Sequence, residues 1–248
     1  SGGFFIFFCY NAFINMIVPK FLTPANKVGI VAPGRKVSRE DMESAIKIFS
    51  SWGLKVELSP NLYGTDHSYL AASDEGRLSD FQKMISDPEI TAIVCARGGY
   101  GTTRILDKLN LQPLSLSPKW IVGFSDITAL HLKLNALRIE SIHATMPILF
   151  SKEDSSLSVS SLREALFGTA PTINGRSNQS NKYGSATAEV IGGNLSLLVD
   201  SLSTSGDTDF SEKILIVEEI DEYLYKIDRM FTHLMRAGKL SRLRGLVV

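Results

Sequence analysis

The feature that most constrains the fold is a regular alternation of apolar and amphipathic segments along the chain. The apolar runs predict strands at 27–32, 54–58, 91–96, 120–122 and 214–217. The amphipathic segments predict helices at about 38–52, 74–86, 102–109 and 227–237. Ser38 and Asp41 have the spacing of a capping box at the first of these helices. Strands and helices that alternate in this way form a mostly parallel sheet, which binds ligands at the carboxyl ends of its strands.

The segment from Pro118 to Thr128 predicts a strand, a tight turn that carries Ser125, and the start of a helix. This order is the geometry of a nucleophile elbow. Gly123 permits a sharp turn, and the first N–H groups of the helix can face an oxyanion beside the serine hydroxyl. A second interpretation stays open, because a serine just before a helix is usually its N-cap.

Two further polar segments follow predicted strands. The first, at 97–101, reads Arg-Gly-Gly-Tyr-Gly and is neither a G-x-G-x-x-G nor a Walker A motif. Its backbone N–H groups could hold a phosphate, a carboxylate or an oxyanion, or its glycines could simply serve a turn. The second is Glu218-Glu219, at the end of the strand predicted at 214–217. An acid in that position is a candidate for a chemical role, although a solvated run of charges is the usual explanation.

Charge and cysteine content argue against several classes of partner. Lys plus Arg and Asp plus Glu number 26 each, so we expect no binding of nucleic acid or of an anionic membrane. Cys9 and Cys95 are too few and too far apart for a disulfide framework or a metal cluster, so we expect no metal. Cys95 lies in an apolar run and is predicted to be a buried strand residue. A reducing cytoplasm fits this cysteine content.

The serine- and asparagine-rich stretch at 151–185 interrupts the alternation and predicts an interdomain linker. We therefore expect an N-terminal domain at 16–150 and a C-terminal domain at 186–248. Residues 1–15 lack an initiator methionine, and their apolar run is too short to span a membrane as a helix. We expect them to be a non-native or disordered leader before a start at Met16. The chain stops within an apolar run, so we expect the C-terminal domain to be incomplete.

The chain resembles the LD-carboxypeptidase family, serine peptidases that include the microcin C self-immunity peptidases. Ordered blocks of similar sequence lie at 28–34, 96–109, 118–131, 141–147, 191–198 and 214–240. The resemblance implies an α/β fold, with a Rossmann-like parallel sheet, flanking helices and a smaller β-rich C-terminal domain. It also implies a cytoplasmic homodimer without a cofactor. The implied activity is hydrolysis of the L,D-amide to the terminal D-alanine of murein tetrapeptides during peptidoglycan recycling.

The resemblance also assigns roles to individual residues. Ser125 matches the nucleophile and Glu218 the acid of the catalytic triad. The N–H groups of Asp126 and of Gly98 or Gly99 match the oxyanion hole. Candidate substrate-binding residues, none of them ranked above the others, are Arg97, Tyr100, His143, Asn194 and Arg229.

The histidine base of the family lies in a loop beyond the matched blocks. Of the four histidines here, we expect His131 and His233 to be structural or surface residues, and we do not expect His143 to replace the base. We therefore expect this chain to be a nearly inactive fragment. Two alternatives remain, a self-immunity peptidase that cleaves a peptide-nucleotide antibiotic and an inactive muropeptide-binding protein. The joint retention of Ser125 and Glu218 argues against the second.

Overall fold

The computed structural model describes residues 16–64, 67–170, 172–175, 178–182 and 184–248. The leader predicted at 1–15 lies outside the described residues. Five parallel strands form the first sheet in the order β2-β1-β3-β4-β5. They are β1 (Lys27–Val31), β2 (Lys55–Leu58), β3 (Ile90–Cys95), β4 (Trp120–Gly123) and β5 (Ile142–His143). The predicted mostly parallel sheet is therefore confirmed.

Helices cover both faces of this sheet, because its central strands β1, β3 and β4 are buried on both sides. The helices of this half are α1 (Arg39–Ser51), α2 (Asp74–Ser86), α3 (Thr102–Leu106), α4 (Pro113–Leu116), α5 (Thr128–Ala136) and α6 (Ser156–Leu166). Phe49 of α1 packs on one face of the sheet, and Phe81 of α2 packs on the other. The capping box of Ser38 and Asp41 is present at the start of α1. Cys95 is fully buried, as predicted, and burial raises the pKa of its thiol.

Helix α6 lies inside the polar stretch at 151–185 that was predicted to be a linker. Its Val159, Leu162 and Leu166 pack in the same core as Phe49 of α1. These residues follow helical spacing, but the serines between them lower the mean hydropathy and hide the pattern. The linker prediction therefore missed a packed helix, and the domain boundaries stay a prediction.

A second, smaller sheet also consists of parallel strands, in the order β6-β7-β8. Its elements are β6 (Val190–Asn194), α7 (Leu195–Asp200), β7 (Ile214–Glu218), α8 (Leu224–Arg236) and β8 (Gly245–Val247). Leu132 of α5 belongs to the buried cluster of this second sheet, whereas Leu130 and Leu134 of the same helix pack against the first. Helix α5 is thus shared by both sheets. None of the described helices is long and apolar enough to cross a membrane.

The contact between α5 and β6 leaves no room for a side chain at Gly193. This glycine has φ 137°, and a β-carbon on it would lie 2.5 Å from Thr128 Oγ1 and 2.7 Å from Thr128 Cγ2. We expect Gly193→Ala to lower the free energy of unfolding by about 1–3 kcal/mol, through overpacking and backbone strain. Urea denaturation measures this change. Gly184→Ala is the matched control, because nothing lies within 4 Å of its β-carbon position; equal stability of the two variants would contradict the prediction.

Candidate active site

Ser125 lies at the sharp turn between β4 and α5. Strand β4 ends at Gly123, Phe124 is extended, and Ser125 has φ 60° at the start of a short 3-10 helix (Ser125–Ile127). A positive φ is uncommon outside glycine and stores backbone strain, often at functional sites. The caps of the 3-10 helix and of α5 are Phe124 and Ile127, and neither uses a side-chain capping hydrogen bond. The N-cap interpretation of Ser125 is therefore wrong, and the turn has the geometry of an elbow.

Close packing surrounds this turn on two sides. A β-carbon on Gly123 would lie 2.8 Å from Ile127 Cγ1, so the glycine lets the helix start directly above the strand. A β-carbon on Gly98 would lie 3.1 Å from Ser125 Cβ. The loop at 97–101, here called the glycine loop, therefore passes beside the serine. The N–H groups at the start of a helix lack carbonyl partners within it, so those of this turn and the loop can face a common oxygen atom.

The side chain of Asp126 fastens the glycine loop to the elbow. Its Oδ2 accepts hydrogen bonds from the N–H of Thr102 at 2.9 Å and from the Thr102 hydroxyl at 2.7 Å. The carboxyl group is buried, which raises its pKa, while the bonds from Thr102 act in the opposite direction. Asp126 thus has a role beyond its backbone N–H, since its side chain fixes the distance between Ser125 and the loop.

Glu218 reaches the site from the second sheet. It ends β7, where it is paired in register with Asn194 of β6. Its Oε1 lies 3.9 Å from His143 Nε2, on β5 of the first sheet, and has no hydrogen-bond partner among the described residues. Burial and the neighbouring charge of Glu219 raise the pKa of Glu218. A buried carboxylate oxygen that awaits a donor suits an acid that orients a histidine.

Glu219 has a different task from its neighbour. Its Oε2 accepts hydrogen bonds from the N–H of Ser196 at 3.0 Å and from the Ser196 hydroxyl at 2.6 Å, at the start of α7. Its Oε1 accepts one from Asn194 Nδ2 at 3.0 Å. Both oxygens of Glu219 therefore hold the backbone and side chains of the second sheet in place. This leaves Glu218 as the member of the pair that faces the first sheet.

The two buried histidines are both neutral at physiological pH. His131 Nε2 lies 2.8 Å from the Gly123 carbonyl and its Nδ1 lies 2.8 Å from Ser141 Oγ, so the ring donates to the carbonyl and accepts from the hydroxyl. Burial lowers the pKa of His131 to about 4 and that of His143 to about 3. His131 thus fixes the end of β4, as a structural residue. His233 lies exposed on α8, as expected.

The candidate substrate-binding residues occupy different surroundings. Arg97 is half-buried and Tyr100 is 52% exposed on the glycine loop. The Asn194 side chain is buried and accepts a hydrogen bond from the N–H of Leu197, in addition to its bond to Glu219. Arg229 is exposed on α8, with its guanidinium 5.5 Å from the centre of the Tyr225 ring. The structure therefore joins Arg97 and Tyr100 to the serine through one loop, whereas Asn194 mainly braces the second sheet.

No cluster of three or more His, Cys, Asp or Glu residues with the arrangement of a metal site occurs in the described part of the chain.

Comparison with known proteins settles the family. The LD-carboxypeptidase N-terminal domain matches residues 28–144, and the LD-carboxypeptidase C-terminal domain matches residues 187–248. A probable murein peptide carboxypeptidase from Bacillus subtilis is 34% identical over 235 residues, which are 93% of this chain and 73% of that protein. The chain belongs to the LD-carboxypeptidase family. The names of the family and of this relative support a serine-type carboxypeptidase, a hydrolase.

Solved structures of the family share the fold. The muramoyltetrapeptide carboxypeptidase from Oxalobacter formigenes has a TM-score of 0.80 at 29% identity, over 89% of this chain and 75% of that one. The wild-type apo form of the microcin C7 self-immunity protein MccF has a TM-score of 0.78 at 18% identity, over 94% of this chain and 79% of that one. At so low an identity the second likeness shows the fold alone.

The buried histidines make stability depend on pH. Between the unfolded pKa near 6.5 and the folded value of about 4, the unfolded chain binds a proton at position 131 that the folded chain does not. The contribution of neutral His131 to the free energy of unfolding should therefore be fully present above pH 6.5 and be lost as the pH falls towards 4. Urea denaturation between pH 7.5 and 4.5 measures this slope. We expect His131→Gln to reduce proton uptake on unfolding by about one. His233→Gln, at an exposed site, is the control for the substitution itself. The slope should be shallower in His131→Gln than in the wild type but not zero, because the buried His143 contributes in the same direction; equal slopes in His131→Gln and the wild type would contradict the assignment.

Proposed function

We propose that this protein is a cytoplasmic LD-carboxypeptidase that hydrolyses the amide to the terminal D-alanine of murein tetrapeptides during peptidoglycan recycling. The observation that carries the proposal is the strained Ser125 beside the glycine loop, with Glu218 of the second sheet reaching the first sheet 3.9 Å from His143 Nε2. The names of the Bacillus subtilis and Oxalobacter formigenes relatives support a muropeptide as the substrate. The resemblance implies a homodimer and no cofactor.

In the proposed reaction, Ser125 Oγ attacks the carbonyl carbon of the scissile amide while a histidine base takes the hydroxyl proton. The carbonyl oxygen becomes an oxyanion, which the N–H groups of Asp126 and of Gly98 or Gly99 stabilise. The carbon–nitrogen bond then breaks, and the base returns the proton to the amine of the departing D-alanine. Water attacks the acyl-enzyme by the same route and restores the serine.

Glu218 would orient the base and stabilise its charged form in this reaction. The histidines of the described residues do not suit the role of base. His131 uses both ring nitrogens within the first sheet, and burial keeps the pKa of His143 at about 3, too low for efficient proton transfer near pH 7. His67 uses its Nδ1 to accept the Leu70 N–H at 3.1 Å, and His233 is exposed on α8. The base we propose is the family's histidine, which lies outside the blocks that match this sequence.

Removal of the nucleophile gives the most direct test. In the full product of the gene, we expect Ser125→Ala to abolish the release of D-alanine from a murein tetrapeptide, because no other hydroxyl occupies the strained turn. Chromatography of the released amino acid measures turnover, and urea denaturation checks that the variant remains folded. Retained turnover would remove Ser125 from the mechanism. A wild-type protein that binds the peptide but never cleaves it would favour the binding-protein alternative.

The two neighbouring glutamates provide a matched pair of variants. We expect Glu218→Gln to lower kcat by about 10⁴-fold, as for the orienting acid of other triads. Glu219→Gln should act mainly on stability, because Glu219 holds the start of α7 and Asn194 rather than facing the first sheet. Steady-state kinetics and urea denaturation of both variants separate the two effects. A greater loss of kcat in Glu219→Gln would show that the acid has been assigned to the wrong member of the pair.

A further inference from the structure

The glycine loop follows β3, one of the two strands at the reversal point of the first sheet. The strand order β2-β1-β3-β4-β5 places β1 beside β3, and the chain leaves these two strands in opposite directions along the sheet. Open α/β sheets bind ligands in the crevice that forms outside such a pair of strand ends. Arg35 follows β1 and Arg97 follows β3, so each strand sends one arginine into this region.

Arg35 and Tyr69 meet at Gly99, two residues after Arg97 in the glycine loop. A β-carbon on Gly99 would lie 3.2 Å from Arg35 Cβ and 2.9 Å from Tyr69 Oη. The Arg35 guanidinium lies 5.1 Å from the centre of the Tyr69 ring, a cation–π distance that holds it in this position. Burial lowers the pKa of Arg97, and the positive charge of the nearby Arg35 lowers it further. Two like charges therefore act on one another beside the loop.

Neither guanidinium has an ion-pair partner or a side-chain hydrogen bond within the described part of the chain. The carboxylate that acts on Arg97 through its charge is Asp41, and this group accepts the Ser38 N–H at 2.8 Å in the capping box. Arginines elsewhere around the loop do have a carboxylate partner, since Arg77 and Arg104 both form ion pairs with Asp74. Two adjacent cations without a carboxylate of their own form a site for an anion.

The position of this pair relative to Ser125 selects the part of the substrate that it meets. Arg97 immediately precedes Gly98, whose β-carbon position lies 3.1 Å from Ser125 Cβ, and Arg35 packs on the next residue of the loop. The backbone of Arg97 is thus one residue, roughly 3.5 Å, from the glycine that packs on the serine, and the base of the Arg35 side chain packs on the glycine that follows. A terminal D-alanine places its carboxylate one residue beyond the carbonyl that the serine attacks.

We propose that Arg35 and Arg97 together bind the terminal carboxylate of the residue that is released, with Tyr69 holding Arg35 in place. This assignment rests on the proposed function for the identity of the peptide. It adds Arg35, which no sequence motif marks, to the residues that determine specificity. The pair restricts cleavage to the last amide of a peptide, because an internal residue has no carboxylate at this point.

Binding of two peptides that differ at one group tests the proposal. The Ser125→Ala form of the full gene product is titrated by calorimetry with a murein tetrapeptide that ends in D-alanine and with the same peptide ending in D-alanine amide. We expect the free acid to bind at least about tenfold more tightly, because charge-assisted hydrogen bonds to arginine are lost with the amide. Arg35→Gln and Arg97→Gln in this background should each remove most of that preference, while amide binding stays the same.

Arg39→Gln provides the matched control. Arg39 is also exposed and lies over a tyrosine, with its guanidinium 4.6 Å from the centre of the Tyr63 ring, but it follows α1's cap rather than a strand end. This variant should keep the full preference for the acid. Equal binding of acid and amide, a preference that survives in Arg35→Gln, or no binding of the acid by a folded protein would each overturn the proposal.

The subsite and the proposed function can fail separately. If wild-type protein releases D-alanine but the preference for the acid does not depend on Arg35, the subsite alone is wrong. If the preference depends on Arg35 while Ser125→Ala retains turnover, the subsite stands and the assignment of the nucleophile is wrong.

Discussion

The side-chain hydrogen bonds of Asp126 and Thr128, just after Ser125 in the chain, hold the site together. Asp126 accepts two bonds from Thr102 and thereby fixes the glycine loop beside the serine. Thr128 accepts the N–H of Asn194 at 3.0 Å and thereby fixes the second sheet. The elbow thus contains the proposed nucleophile, the side chain that attaches the glycine loop and the side chain that attaches the second sheet. A turn held on two sides can maintain a strained serine, since the surrounding structure determines its backbone conformation.

The division of labour between neighbouring residues recurs in the glutamate pair. Glu219 satisfies donors at the start of α7, so the end of β7 is rigid. Glu218 keeps one buried oxygen without a donor, at a cost in solvation that its raised pKa reflects. Structural and chemical tasks are therefore separated by a single peptide unit. Glu218 is the last residue of β7 and Glu219 the first residue after it, so the change of task coincides with the end of the strand.

The sequence predicted most of the first sheet, because its strands are short apolar runs bounded by recognisable caps and turns. Ser38, Gly123 and the segment around Ser125 all carried local signals. Helix α6 was missed, since serines dilute its apolar spacing. The side-chain roles of Asp126 and Thr128 could not be predicted, because their partners lie 24 and 66 residues away in the chain. The role proposed for Arg35 could not be predicted for the same reason, because only the strand order brings this residue close to Arg97.

The packing of α5 against the second sheet at Thr128 affects how the protein would respond to a denaturant. The proposed nucleophile belongs to one sheet and the proposed triad acid to the other, and the junction between the sheets depends on Gly193 having no side chain. Separation of the two sheets would be a sub-global opening, which costs less free energy than global unfolding. Mild denaturant should therefore abolish the catalytic activity while circular dichroism still shows intact secondary structure. Catalytic activity would then report whether the first and second sheets are packed together, rather than whether each sheet is folded.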